Sequence, residues 1–223
     1  MTKKLLISAI SKFLLGVLLV GALLFLPAGT IHFPGGQLLM LLLFVPMFLA
    51  GLVMMAKDPN LLRSRLKAKE QEKEQDLLIK LSGLMFLVGF VLAGLDFRFG
   101  WSRLPYSVNC VGAVLFLLAY GLYAEVLREN AWLSRTIEVQ QGQTVVSTGL
   151  YGIVRHPMYA ATLLLFLSMP LVLGSVPCLL VLLCYPALIA KRILNEEQVL
   201  ARDLPGYAEY LQKVRWRLIP YIW

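Results

Sequence analysis

The most informative part of the sequence is YAATLLLFLSMPLVLGSVPCLLVLLCYPALIAKRILNEE, from Tyr159 to Glu197. It contains two apolar segments, about Tyr159 to Leu173 and Val176 to Ala190, which only Gly174-Ser175 separates. Each segment is short for the roughly 20 residues that cross a bilayer. The pair therefore predicts a tight helical hairpin that is tilted or partly shielded by protein.

Four longer apolar segments precede this hairpin. They run from about Leu5 to Leu26, Leu38 to Ala56, Leu81 to Phe99 and Tyr106 to Leu127. The whole chain of 223 residues is 59% hydrophobic and only 15% charged, with a mean hydropathy of +0.74. Because backbone groups in hydrocarbon must be paired within the chain, helices are favoured. The sequence predicts an all-α integral membrane protein with about six transmembrane helices, the first of them uncleaved.

The basic residues predict which side of the membrane each connection occupies. If the N-terminus is cytoplasmic and six spans alternate, 19 of the 21 Lys and Arg residues lie on the cytoplasmic side, and only Arg98 and Arg103 lie outside. Such a bias explains the net charge of +8 without nucleic acid as a partner. Both termini and the loop from Arg128 to Pro157 are predicted to be cytoplasmic. The mixed-charge stretch Lys67 to Asp76 (KAKEQEKEQD) predicts a solvated helix between spans two and three.

The cysteines and histidines do not favour a disulfide framework or a metal centre. Cys110, Cys178 and Cys184 lie in apolar segments without a CxxC pair, and the chain has two histidines, His32 and His156. We interpret the cysteines as reduced, small apolar side chains, and we predict no metal.

The chain changes character after Leu127, which divides it into four N-terminal spans (1–127) and a candidate catalytic region (128–223). The stretch Thr144 to Gly149 favours an extended backbone and leads into the glycine-framed turn Gly149 to Gly152. Pro157 suits the first turn of a helix and disfavours a helical backbone at His156. We therefore expect His156 to project at the cytoplasmic mouth of the fifth span.

The hairpin returns a second group of polar residues to the same membrane face. If the sixth span continues as a helix, Arg192 and Glu196 are neighbours at i,i+4. Taken singly, Arg192 could be a membrane-interface anchor and the tyrosines interfacial aromatics. The convergence of all of them with His156 favours a functional site.

Five sequence elements of this region form a recognisable pattern. They are Gln140, TVVSTGLYGIVRHPMY (144–159), RILNEE (192–197), LPGYAEY (204–210) and RWRLIP (215–220). Over about Asn130 to Trp223 they resemble the isoprenylcysteine carboxyl methyltransferases. The wider group includes phospholipid N-methyltransferases and small bacterial methyltransferases and, more distantly, sterol reductases.

The resemblance implies a helical bundle with a cytoplasm-facing pocket for S-adenosylmethionine. Arg192 would face the methyl acceptor. The implied cofactor-binding residues are Gln140, Gln143, Thr144, Val145, Val146, Tyr151, His156, Pro157, Met158, Tyr159 and Glu196. One position departs from the pattern, since family members often have His where this chain has Gln143.

Several acceptors and two other functions remain open at this stage. Arg192 suits a carboxylate on a lipid or lipidated acceptor such as a prenylcysteine. An amine lipid would need a base, for which Glu197 is the candidate, and a small thiol is a third possibility. The alternatives to a methyltransferase are an NADPH-dependent reductase of the sterol type and a non-enzymatic membrane protein.

Overall fold

The structure, a computed structural model, describes residues 3–57, 59–66, 73–102, 104–133 and 139–223. Over these residues the chain is helical, without a strand, and Val154 and Trp216 form an isolated parallel bridge. The helices are α1 (Lys3–Ala28), α2 (Pro34–Lys57), α3 (Pro59–Leu66), α4 (Lys73–Phe99), α5 (Tyr106–Glu129), a 3₁₀ turn (Gly149–Gly152), α6 (Pro157–Leu173), α7 (Val176–Leu182), α8 (Tyr185–Asp203) and α9 (Tyr207–Lys213).

The apolar helices confirm the predicted all-helical membrane architecture. Five helical stretches are long and apolar enough to cross a membrane, and Pro157–Leu173 is a shorter apolar helix. The five are Leu5–Ala28, Pro34–Lys57, Asp76–Phe99, Tyr106–Glu129 and Val176–Asp203. The number of crossings and the side of each terminus stay predictions. Of the mixed-charge stretch, residues 67–72 lie outside the described part of the chain.

The hairpin is present, but its second arm differs from the single segment that the sequence predicts. At the turn, the Ser175 hydroxyl accepts a hydrogen bond from the Cys178 N–H at 3.3 Å. The second arm then forms two helices, α7 and α8, which are separated at Leu183 and Cys184. Pro186 lies in the first turn of α8, where its missing N–H cannot continue the hydrogen-bond ladder of α7. Beyond the break, α8 continues well past Ala190, as predicted.

Packing between α5 and α6 places the start of α5 beside the end of α6. A Cβ atom on Gly112 would lie 2.6 Å from the backbone nitrogen of Val172, so glycine permits the close approach of the two helices. Asn109 adds a hydrogen bond from its side-chain amide to the Val172 carbonyl at 2.8 Å. At the other end of α5, Val126, Leu133 and Tyr151 pack in one apolar cluster. The loop that follows α5 therefore lies over the start of α6.

The C-terminal segment is attached to the element that precedes α6. The backbone N–H groups of Arg155 and His156 donate to the carbonyls of Trp216 and Arg217 at 2.8 and 2.9 Å. A small apolar cluster stabilises the connection from α8 to this segment; its buried members are Leu204, Tyr207, Tyr210 and Val214. Residues far apart in sequence thus meet at the ends of α5, α6 and α8.

Candidate active site

The 3₁₀ turn is held by a carboxylate at the end of α5. The Leu150 N–H donates to both carboxylate oxygens of Glu129, at 3.1 and 2.8 Å. Gly149 has φ 54°, and a Cβ atom there would lie 1.7 Å from Glu129 Oε1, so the turn requires glycine. The turn buries Tyr151, whose carbonyl accepts a hydrogen bond from the Tyr210 hydroxyl at 2.7 Å. The glycine-framed turn predicted from the sequence is therefore confirmed.

Tyr159 links two polar residues of α8, Arg192 and Glu196. Its hydroxyl donates to Glu196 Oε2 at 2.5 Å and accepts from Arg192 Nε at 2.9 Å. Tyr159 is only 4% exposed, so packing holds its ring in place. The predicted i,i+4 relation of Arg192 and Glu196 is confirmed, and Tyr159 joins the two side chains into one chain of hydrogen bonds.

A second polar cluster surrounds Glu197, one residue further along α8. Glu197 Oε1 lies 2.9 Å from Arg155 Nη1 and 3.3 Å from His156 Nε2, and Oε2 accepts from Arg217 Nε at 2.9 Å. The Glu197 side chain is 8% exposed. Three elements, the segment before α6, α8 and the C-terminal segment, therefore meet at one carboxylate. His156 has a non-helical backbone, as predicted, but it is buried against Glu197 and does not project freely.

The loop before the 3₁₀ turn is shaped by two glutamines. Gln143 donates its N–H to the Gln140 carbonyl at 3.0 Å, and its side-chain oxygen accepts from the Gln140 N–H at 2.9 Å. The Gln140 side chain in turn donates to the Trp132 carbonyl at 2.7 Å. Gln140 thus holds the loop through its hydrogen bonds to Gln143 and Trp132. Gln143 lies on the side of the loop that faces the cleft described next.

These elements surround a cleft. Its cavity volume is about 100 Å³, and the empty space in and around it is about 810 Å³ when the adjoining open solvent is included. A ligand larger than a few atoms therefore needs the open mouth as well as the enclosed part. The lining residues come from the end of α5, the following loop, the start of α6, α8 and α9.

Most of the residues that the sequence predicts for the site line this cleft. They are Gln143, Thr144, Val145, Val146, Tyr151, His156, Met158, Tyr159, Arg192 and Glu196. Three predicted site residues do not line the cleft: Gln140, Pro157 and Glu197. Gln140 contacts Gln143, and Glu197 contacts Arg155 and His156, all of which line it. The roles assigned to all of these residues stay predictions.

Several residues of the cleft were not predicted from the sequence. Arg155, Tyr207 and Tyr210 line it, and Arg217 supports it through Glu197. A usable signal was present, because Tyr207 and Tyr210 are three residues apart on α9 directly after Gly206, and so share one helix face. Among the described residues, no group of three or more His, Cys, Asp or Glu side chains is suited to a metal ion.

Two curated proteins resemble part of the chain. The cobalt-zinc-cadmium resistance protein CzcN of Cupriavidus metallidurans is 31% identical over 132 residues, which cover 57% of each chain. A Delta(14)-sterol reductase of Mus musculus is 31% identical over 91 residues, which cover 40% of this chain and 22% of the reductase. The chain thus spans just over half and about a fifth of the lengths of these relatives.

A family model matches the part of the chain that contains the cleft. Residues 108–205 match the model of the phospholipid methyltransferases. This range contains all but the first two residues of α5, the loop, the 3₁₀ turn, the hairpin and α8, and so most of the residues that line the cleft. Residues 108–205 are therefore similar to the phospholipid methyltransferases, a family within the wider group that includes the isoprenylcysteine carboxyl methyltransferases.

Proposed function

We propose that this protein is a membrane methyltransferase that uses S-adenosylmethionine to methylate a carboxylate on a hydrophobic, prenylcysteine-like acceptor. The observation that carries the proposal is the chain Arg192–Tyr159–Glu196, which brings a cation and a carboxylate to one cleft. The bias of basic residues favours a cytoplasmic position for this cleft. In this proposal, residues 128–223 carry the chemistry and residues 1–127 anchor them in the membrane.

The residues of the cleft fit the proposed cofactor. S-adenosylmethionine supplies an electrophilic methyl group on a sulfonium, together with an α-ammonium and an α-carboxylate. The Glu196 carboxylate is suited to pair with the ammonium. The aromatic ring faces of Tyr151 and Tyr159 are suited to lie near a sulfonium cation. Val145, Val146 and Met158 offer apolar surface beside these polar groups.

Arg192 is suited to hold the carboxylate of the acceptor. Tyr159 engages its Nε atom and so restricts the orientation of the guanidinium plane. An acceptor carboxylate is already ionised at neutral pH and needs no general base. Methyl transfer then depends on alignment of the acceptor oxygen with the methyl group and on the exclusion of water.

N-methylation of a phospholipid is the second candidate, and the description of the matching family model favours it. An ammonium acceptor must lose a proton before it can attack, so the cleft would need a base. The sequence offers Glu197, but Arg155, His156 and Arg217 already engage its two oxygens. The carboxylate acceptor is therefore the better fit to the observed contacts.

Binding and transfer experiments separate these proposals. The purified chain in detergent should bind S-adenosylhomocysteine by calorimetry. With radiolabelled S-adenosylmethionine, it should transfer methyl groups to a prenylcysteine, but not to phosphatidylethanolamine or a small thiol. Labelling of phosphatidylethanolamine alone would select the second candidate. Binding of NADPH without any binding of S-adenosylhomocysteine would instead select a reductase.

Replacement of the two α8 residues should separate acceptor binding from cofactor binding. Arg192→Ala should lower kcat/KM for the acceptor about 10- to 100-fold, the range for a lost charged hydrogen bond, and leave S-adenosylhomocysteine affinity nearly unchanged. Glu196→Gln should weaken the affinity for S-adenosylhomocysteine. Lys191→Ala, an exposed neighbour on the same helix, is the control and should change neither. Equal loss of turnover in all three variants would contradict the assignment.

A further inference from the structure

Two buried polar atoms of the cleft have no hydrogen-bond partner among the residues that the structure describes. Among the described residues, only Arg155 Nε and the Tyr207 hydroxyl are buried side-chain polar atoms that make no hydrogen bond. Both side chains line the cleft. A buried donor without a partner is unfavourable, and native proteins contain few of them. Two in one cleft indicate that a ligand group completes their hydrogen bonding.

Arg155 is fixed in place by its other nitrogen atoms. Nη1 pairs with Glu197 Oε1 at 2.9 Å, and Nη2 donates to the Arg215 carbonyl at 3.0 Å. The guanidinium plane is therefore held from two sides, while Nε–H remains available. Since an arginine Nε only donates, its ligand must offer an acceptor.

Tyr207 differs from its neighbour on α9. The ring centroids of Tyr207 and Tyr210 are 5.6 Å apart, and both rings are about 95% buried. The Tyr210 hydroxyl donates to the Tyr151 carbonyl at 2.7 Å, whereas the Tyr207 hydroxyl has no such bond. Burial, together with the charges of Glu196 and Glu197, raises the pKa of Tyr207. Its hydroxyl therefore stays protonated and available as a donor at neutral pH.

The electrostatic environment indicates which ligand group fits. The charges of Glu196 and Arg155 both act on the Tyr207 phenol, so a carboxylate and a cation lie near the same hydroxyl. Glu196 is suited to a cationic group, and the two unsatisfied donors are suited to an anionic one. A ligand with an ammonium and a carboxylate on one carbon would satisfy both at once.

We propose that Arg155 Nε and the Tyr207 hydroxyl bind the α-carboxylate of S-adenosylmethionine, beside the Glu196 carboxylate that binds its α-ammonium. This assignment rests on the proposed function, since it requires that cofactor. It gives the LPGYAEY element a direct role in binding, and it makes Arg155 both a partner of Glu197 and a ligand of the cofactor.

Calorimetry with two ligands tests the assignment without an activity measurement. The ligands are S-adenosylhomocysteine and its decarboxylated analogue, which keeps the amine and lacks the α-carboxylate. The unmodified chain should bind S-adenosylhomocysteine at least about tenfold more tightly than the analogue. Tyr207→Phe should reduce this affinity ratio several-fold, because it should weaken the binding of S-adenosylhomocysteine and leave the binding of the analogue unchanged. Tyr210→Phe, which removes the hydroxyl that is already paired, should keep the ratio.

A second variant makes the test independent of Tyr207. Arg155→Lys keeps a cation for Glu197 but removes the Nε donor. It should also weaken the binding of S-adenosylhomocysteine more than the binding of the decarboxylated analogue. Equal binding of the two ligands by the unmodified chain would overturn the assignment, even if a variant failed to fold. So would a Tyr207→Phe variant that folds and weakens both ligands alike. If the unmodified chain bound neither ligand, the proposed function itself would fail.

Discussion

The N-terminal helices and the region after Leu127 depend on different interactions. α1 and α2 present large apolar side chains on their surfaces, such as Leu15, Leu18 and Leu41, which are 66%, 70% and 59% exposed. Such exposure suits contact with lipid, which is as apolar as the side chains. The region after Leu127 instead uses ion pairs and hydrogen bonds between distant residues, as at Glu197 and Tyr159.

The difference matters because apolar burial is non-directional, whereas hydrogen bonds need particular partners at particular angles. Many apolar sequences could form α1 or α2 with little change in function. Fewer sequences could form the cleft, because the loss of one partner leaves several buried charges unpaired. We therefore expect single substitutions to be far more damaging in the C-terminal polar clusters than on the lipid-facing surface.

Glu197→Ala should give the largest effect. The substitution leaves Arg155, His156 and Arg217 without their shared carboxylate, and loss of one partner from a buried ion pair costs about 3–5 kcal/mol. Thermal unfolding in detergent should show a large fall in Tm, and calorimetry should show loss of S-adenosylhomocysteine binding. Glu209→Ala, an exposed carboxylate on α9, is the matched control. Similar changes in both variants would mean that the Glu197 cluster does not hold the cleft together.

The sequence predicted the apolar framework because long hydrophobic runs are a strong local signal. All six apolar segments form helices, and the Gly174-Ser175 turn lies where it was expected. The break at Leu183 and Cys184 was missed, although Pro186 marks it. Proline near the start of a helix and proline within a continuous apolar run give the same pattern in the sequence.

The candidate site was predicted in part. The pairing of Arg192 with Glu196 followed from helical spacing, and the hairpin implied that His156 lies on the same face. The partners of Glu197 could not be inferred, because Arg217 is twenty residues away and its approach depends on how the C-terminal segment folds back. The same holds for Tyr207, whose position depends on the small apolar cluster around α9.

Gly112→Val should give an intermediate effect, in the apolar part of the molecule. The added atoms would meet the backbone of α6 near Val172, and overpacking of this kind costs about 1–3 kcal/mol. Gly121→Val on the same helix is a matched control, since a Cβ atom there meets nothing within 4 Å. The first variant should lower Tm, and the second should change it little. Equal Tm values would show that α5 and α6 tolerate separation, and that the contrast between the two regions is sharper than we infer.

Gln143→His should give the smallest effect, and it tests a position at which members of the resembled family often have His. Within the described part of the chain, the Gln143 side chain makes one neutral hydrogen bond, in which its oxygen accepts from the Gln140 N–H at 2.9 Å. A histidine ring nitrogen can accept the same hydrogen bond, so we expect S-adenosylhomocysteine affinity to change by less than about threefold. Gln143→Ala leaves the Gln140 N–H without its acceptor and should weaken binding more, by about 1 kcal/mol. If the histidine variant were as weak as the alanine variant, the amide itself would be required. The loop would then depend on one residue type, as we expect of the Glu197 cluster.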